Sequence, residues 1–297
     1  MTEARVQIVE VSPRDGLQAE DRIVSTETKL ELLGRLADAG HTVIEATSFV
    51  SAAAVPQLAD ADDLMRRLQR RPGVRYPVLV PNERGLERAV GAAATDVAVF
   101  VSASESYSRK NLRRGRDEAI ATALAVTTAA KARGMHVRGY ISMVIADPDD
   151  GPTDPAAVAG IAARFLAGGA DEVSLGDTIG SGTAAHVRAL IAAHCDLKVP
   201  LGRLAVHFHD TYGQGLANVL TAIELGIGTV DASIGGIGGS PFAKRAAGNL
   251  ATEDVVWMLD GMGVVTGIDV RTLAATTKWM AEQLGRGLPG RAARALA

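Results

Sequence analysis

The sequence predicts a single closed (β/α)8 barrel, on three observations. Strand-like runs alternate with Ala- and Leu-rich helix-like runs from one end of the chain to the other, the pattern of a parallel sheet with helical crossovers. Eight runs of each kind fit within 297 residues. That suits a closed barrel better than an open doubly wound sheet, the alternative that periodicity alone leaves standing. Polar, chemically capable residues collect at the C-terminal ends of the strand-like runs, where barrel enzymes keep their active sites.

In order, the strand candidates are 6–11 (VQIVEV), 42–49 (TVIEATSF), 76–81 (YPVLVP), 96–103 (DVAVFVSA), 136–144 (HVRGYISMV), 171–177 (DEVSLGD), 203–210 (RLAVHFHD) and 229–235 (TVDASIG). A helix over 26–39 is entered through Ser25, whose hydroxyl can cap a free first-turn N–H, and is left through Gly40. Another spans 117–133 and stops before Gly134. No low-complexity linker or charge block divides the chain. Residues 1–285 therefore read as one catalytic barrel, an α/β fold with a Gly-rich flap and an extra C-terminal helix. The Gly- and Arg-rich tail, 286–297, is expected to fray rather than to cover a ligand.

A chain of this length can bury one large core. Its net charge of −3 gives no electrostatic reason to expect nucleic acid or an anionic membrane as partner. No apolar run approaches the roughly 18 residues that span a bilayer. The N-terminus enters a strand-like run after a few charged residues, so neither a signal nor a transit peptide is expected. The single cysteine, Cys195, forms no intrachain disulfide and builds no Cys-rich zinc site. A reducing cytoplasm is the expected location.

Reading only the strand ends gives a coherent set. The first ends in SPRDGLQ, with Arg14 and Asp15; the second carries Glu45; the sixth ends in LGDT, with Asp177. The seventh reads VHFHDTYGQ, with His207 and His209, and after the eighth comes GGIGGSPFAKRAAGN, ending at Asn249. Side chains two apart on a strand share a face, so His207 and His209 project together while Phe208 points away. A lone histidine would ordinarily be a core residue bonded to a carbonyl. Two on one face, opposite Asp15, favour a metal ion. With Asp15 and Asn249 the ligands are two nitrogens and two oxygens without thiolate, which favours Mg²⁺ or Mn²⁺ and leaves zinc open.

Arg14 either pairs with Glu45 or Asp177, or donates to a developing oxyanion. Glu45 either orients a ligand or fixes Arg14, and Asp177 is either a structural acceptor or part of a proton relay. The GGIGG run is either a tight loop needing positive φ or a glycine-hinged flap over the mouth. It lacks the Lys-Ser/Thr ending of a nucleotide-binding P-loop, so glycine content does not make it a phosphate site.

The strings VSPRDGLQ, VIEATSFVS, YPVLVPN, SASESYSRKN, VSLGDTIGSGT, HFHDTYGQGLAN and AAGNLATEDVVWML, in that order, resemble the hydroxymethylglutaryl-CoA lyases. The resemblance covers roughly residues 6 to 285. It implies divalent-metal ligation by Asp15, His207, His209 and Asn249, and enolate stabilisation by Arg14 with support from Glu45 and Asp177. It further implies an acyl-CoA thioester substrate of the kind met in leucine degradation, and assembly as a homodimer or higher homo-oligomer. The implied reaction is retro-Claisen cleavage of 3-hydroxy-3-methylglutaryl-CoA to acetyl-CoA and acetoacetate, with His207 or a relay through Asp177 taking the alcohol proton.

Two departures stand out. Family members carry a cysteine in a GGCP string; this chain has GGSP, placing Ser240 there, a hydroxyl far harder to ionise than a thiol. After the fifth strand the family's Cys-containing GCPYEG-like turn is replaced by MVIADPDDGP, in a loop that shapes the substrate pocket. Competing readings are a lyase for another 3-hydroxyacyl-CoA and a catalytically weak barrel that binds CoA esters. A condensing synthase is disfavoured, since those read RDGEQ and carry an added C-terminal region.

Overall fold

The structure is a computed structural model and describes residues 4–239 and 248–296. All eight predicted runs are strands. They are β1 (Gln7–Glu10), β2 in two pieces (Val43–Ile44 and Thr47–Ser48), β3 (Val78–Leu79), β4 (Asp96–Ser102), β5 (His136–Ser142), β6 (Glu172–Asp177), β7 (Leu204–Phe208) and β8 (Thr229–Ala232). Every neighbouring pair is parallel, and the order runs from the first piece of β2 through β1, β8, β7, β6, β5, β4 and β3 to the second piece. Both ends of the ribbon belong to one strand, so the sheet closes into a barrel.

The break in β2 falls at Glu45 and Ala46, in a strand that has neighbours on both sides: Val43 lies beside Val9 of β1 and also bridges Arg75. The Glu45 N–H donates to the Glu10 carbonyl and the Ala46 N–H to the Pro77 carbonyl, each at 2.9 Å.

The helices are α1 (Thr26–Asp38), α2 (Ala61–Arg67), α3 (Glu83–Gly91), α4 (Glu105–Leu112), α5 (Arg116–Lys131), α6 (Pro155–Ala167), α7 (Ala184–Asp196), α8 (Gly215–Glu224), α9 (Thr252–Gly261), α10 (Val270–Leu284) and α11 (Arg291–Leu296). Local chemistry sets the bounds expected of α1. Ser25 Oγ accepts from the Thr28 N–H at 3.2 Å, and the chain leaves through Gly40 at φ +105°, a backbone that side chains with a Cβ resist. None of these helices is long and apolar enough to cross a membrane.

The main core lies between sheet and helices, where outward residues such as Ile8, Val206 and Val230 meet Leu32, Leu33 and Leu36 of α1 and their counterparts around the ring. Inside the barrel the apolar filling is slight: Val9, Val11 and Val43 on one side, and Leu79, Ala98 and Tyr140 on the other. The remaining interior is polar, and the site stands on it.

The tail differs from its expected fraying. Leu288 and Ala293 are buried, the Gly290 N–H donates to the Gly235 carbonyl at 3.0 Å, and Asp254 accepts from the first N–H groups of α11. Gly290 lets the segment lie against the Gly-rich run, because a Cβ there would stand 3.2 Å from the Gly235 Cα. A loop-like composition thus serves close packing here.

Candidate metal centre and active site

β1 hands the chain to a five-residue π turn, Ser12–Gly16. The N–H groups of Arg14, Asp15 and Gly16 converge on the Val11 carbonyl at 3.2, 2.8 and 3.2 Å. Such widened turns are frequent at functional sites. This one sets Arg14 and Asp15 over the strand ends. Gly16 permits it, because a Cβ there would stand 2.7 Å from Ile237.

Asp15, His207 and His209 offer ligand atoms that all lie within 4.8 Å of one another. The two imidazoles share a face as expected, with ring centres 5.4 Å apart. Asn249 joins them through an antiparallel bridge to His209, and its amide nitrogen lies 2.7 Å from Asp15 Oδ2. A half-turn of that amide presents oxygen instead of nitrogen to the same point. The Gly-rich run comes close here as well: a Cβ on Gly238, at φ +120°, would stand 2.4 Å from that amide nitrogen.

This donor set fits a divalent cation. One carboxylate, two imidazoles and an amide converge. Asp15 and its neighbours Glu45 and Asp231 are three carboxylates that pair with two guanidinium groups, Arg14 and Arg138, and Arg138 is shared with Glu172 as well, leaving negative charge to be neutralised. His207 also has an outer partner of the kind metal-binding histidines have, with Asp231 Oδ2 3.3 Å from its Nδ1.

Burial raises the carboxyl pKa of Asp15, but the adjacent Arg14 guanidinium and His207 outweigh it and hold the group below the usual range. For His207, burial pulls the imidazole down; the hydrogen bond to Asp231 and the charges of Asp15 and Asp231 outweigh that, and the net shift is upward. Glu45 is raised, because its burial is only partly offset by Arg14.

Arg14 pairs with Glu45: its Nε and a terminal nitrogen both reach Glu45 Oε2, and the other terminal nitrogen reaches Asp15. Three of its five N–H groups are engaged and two remain. Asp177 acts as a structural acceptor: its two carboxylate oxygens accept from the Ser181 and Gly182 N–H groups at 3.2 and 2.7 Å, which shapes the loop after β6. Ser240 lies outside the described residues.

Sequence reasoning missed Arg138, Tyr140, Ser174 and Asp231. Arg138 donates to Asp231 at 2.6 Å and to the Tyr140 hydroxyl at 3.2 Å, and that hydroxyl donates to Glu45 at 3.2 Å. The available signal was polar residues at alternate positions of apolar strands, as in Arg138 and Tyr140 of β5, which places both inside the barrel. After β5, the departing MVIADPDDGP stretch forms a short hairpin, Ala146–Asp147 with Gly151–Pro152, tied to the loop after β4 by the Ser104 hydroxyl donating to Asp147 at 2.8 Å.

Comparison with known proteins follows the same elements. The HMGL-like family model matches residues 5–280. The mitochondrial hydroxymethylglutaryl-CoA lyase of Arabidopsis thaliana is 50% identical over 291 residues, 98% of this chain and 62% of that protein, so this chain spans less than two thirds of that relative. The crystal structure of hydroxymethylglutaryl-CoA lyase from Pseudomonas aeruginosa is similar with a TM-score of 0.95 at 43% identity, covering 99% of this chain and 98% of that one. An HMG-CoA lyase from Acinetobacter baumannii, in complex with coenzyme A and 3-methylmalate, gives a TM-score of 0.93 at 33% identity, covering 98% and 95%. Matched from just before β1 into α10, this chain belongs to the HMGL-like family.

Proposed function

We propose that the chain is a hydroxymethylglutaryl-CoA lyase, cleaving 3-hydroxy-3-methylglutaryl-CoA to acetyl-CoA and acetoacetate. The observation that carries this reading is Arg14, anchored on Glu45 with two N–H groups to spare, beside the Asp15–His207–His209 cluster. Asp15, His207, His209 and Asn249 would hold a divalent cation, Mg²⁺ or Mn²⁺ by the hardness of the oxygen donors. When bound, it supplies Lewis acidity toward the substrate's alcohol and carboxylate oxygens.

Cleavage removes the alcohol proton and breaks the bond between the carbinol carbon and the methylene beside the thioester. The electron pair becomes an enolate, whose carbon finally takes a proton. Removal of the alcohol proton is assigned to a relay through Asp177, since His207 faces the cation site with Nε2 and Asp231 with Nδ1, while each Asp177 oxygen keeps acceptor capacity beside its one backbone N–H bond. Arg14 stabilises the enolate oxygen with donors fixed before charge develops there. Ser240, in the position of the family's cysteine, is assigned the final protonation. We assign a homodimeric or higher assembly too, for which the exposed Trp257 of α9 and the nearby Met262 offer surface.

The test is release of acetyl-CoA and acetoacetate from hydroxymethylglutaryl-CoA by metal-loaded and metal-stripped protein. Turnover restored by Mg²⁺ or Mn²⁺ is expected; full turnover after rigorous stripping counts against the metal centre. Turnover only on other 3-hydroxyacyl-CoA thioesters would move the substrate assignment, with the hairpin after β5 as the reason.

A further inference from the structure

We infer that Asp231 is the positioning residue of the metal centre, holding His207 in the one tautomer that leaves its Nε2 lone pair facing Asp15. The inference rests on the metal-centre reading above and adds a residue outside the ligand set.

Asp231 lies on β8, buried inside the barrel, directly across the ladder from His207. Its two oxygens have separate partners. Oδ1 accepts from an Arg138 terminal nitrogen at 2.6 Å; Oδ2 accepts from the Ser174 hydroxyl at 2.8 Å and stands 3.3 Å from His207 Nδ1. The Arg138 guanidinium and the Ser174 hydroxyl both donate to this carboxylate, so Asp231 stands here as an acceptor. An ionised carboxylate only accepts, so the imidazole proton on that side must sit on Nδ1. In the neutral ring Nε2 then carries the lone pair, and it faces Asp15 Oδ2 at 3.9 Å.

Arg138 makes the arrangement rigid and directional. A guanidinium has no acceptor, so whatever stands at position 231 must present an acceptor to it. Asp231→Asn is therefore a directed perturbation rather than a simple loss. The new amide must turn its oxygen to Arg138, which leaves its nitrogen facing His207. Nδ1 is then forced to accept, the ring proton moves to Nε2, and the lone pair that a cation needs is gone. The substitution is nearly isosteric, so a purely structural role for Asp231 gives no reason for the proton to change places.

The test has two readouts. In metal-free wild-type protein, at a pH where the imidazole is neutral, ¹⁵N chemical shifts should show His207 as the Nδ1–H tautomer. In Asp231→Asn they should show Nε2–H, and calorimetric titration with Mn²⁺ should show affinity lowered by about 10- to 100-fold, the range for lost outer partners of metal ligands. An Nε2–H tautomer in the wild type, or an Asp231→Asn protein binding Mn²⁺ as tightly as wild type, overturns the inference. If the variant does not fold, the wild-type spectrum decides alone. A wild type that shows the Nδ1–H tautomer yet binds no Mn²⁺ would instead refute the metal-centre reading, which keeps the two failures distinct.

Discussion

Arg14 and Glu45 meet through a single carboxylate oxygen: Glu45 Oε2 lies 2.8 Å from the guanidinium Nε and 2.7 Å from a terminal nitrogen, while the other terminal nitrogen lies 2.7 Å from Asp15 Oδ1. One arginine thus touches both the carboxylate that fixes it and the carboxylate that would ligate the metal. Arg14→Met should lower kcat by roughly 100- to 1000-fold, the scale for losing an oxyanion donor. It should also lower stability by about 3–5 kcal/mol, because Glu45 is left buried without its partner. Affinity for Mn²⁺ should not weaken, since a positive charge has been removed beside Asp15. Arg14→Lys should recover stability more than activity, because an ammonium cannot reproduce the planar fork. Denaturation curves, Mn²⁺ titrations and steady-state kinetics on one preparation check all three.

His209→Ala removes one of three clustered ligands and should abolish measurable Mn²⁺ binding. The same loss should appear without any assay of turnover. At a Mn²⁺ concentration 100 times its Kd, the wild type should gain about 2.7 kcal/mol of stability and the variant none. A variant whose Tm rises with Mn²⁺ as much as that of the wild type would remove His209 from the ligand set.

Two buried carboxyls outside the barrel wall should make stability depend on pH in an unusual direction. Glu10 accepts from the Ser12 and Ile234 N–H groups and the Thr252 hydroxyl; Glu253 accepts from the Gly235 N–H and the Thr277 hydroxyl. Burial pushes Glu10 up to about 7 and Glu253 up to about 8, each from 4.5. The folded state then holds protons that the unfolded chain has released, so stability is fullest below about pH 4.5 for these two groups and declines as pH rises through 7 and 8. Their joint contribution should fall by several kcal/mol across that window. Tm measured from pH 5 to 8.5 should show a smaller decline in Glu253→Gln than in wild type. An equal slope in both would exclude Glu253 as a source.

Much of this was legible beforehand, for reasons that differ by element. The strands were readable because each is an apolar run bounded by helix-like periodicity, and the H-x-H pair because alternate strand positions share a face. Legibility ended where backbone geometry departs from regular elements. The π turn that lifts Arg14 and Asp15 has no signature in SPRDG beyond its proline, and nothing in VIEATS marks the break in β2. Arg138 and Asp231, on strands far apart in sequence, each look like an isolated charge until the barrel closes. Asp177 at its strand end left two roles open in the sequence, and the loop after β6 supplies the structural one through the Ser181 and Gly182 N–H groups.

Ser240 carries a prediction from sequence alone. A thiol titrates near pH 8.5, much closer to a working pH than a hydroxyl does, so Ser240→Cys should raise kcat on hydroxymethylglutaryl-CoA with little change in KM. No gain on that substrate or on larger analogues would show that residue 240 has no part in proton transfer in this protein.

Asp15 and Asn249 meet across 234 positions of sequence, where β1 lies beside β8. The donors therefore come from the two ends of the chain, and a bound cation ties those ends together. It stabilises the closed ring against opening. Mn²⁺ should accordingly protect amides around the whole circumference from hydrogen exchange, including strands such as β4 that contribute no ligand.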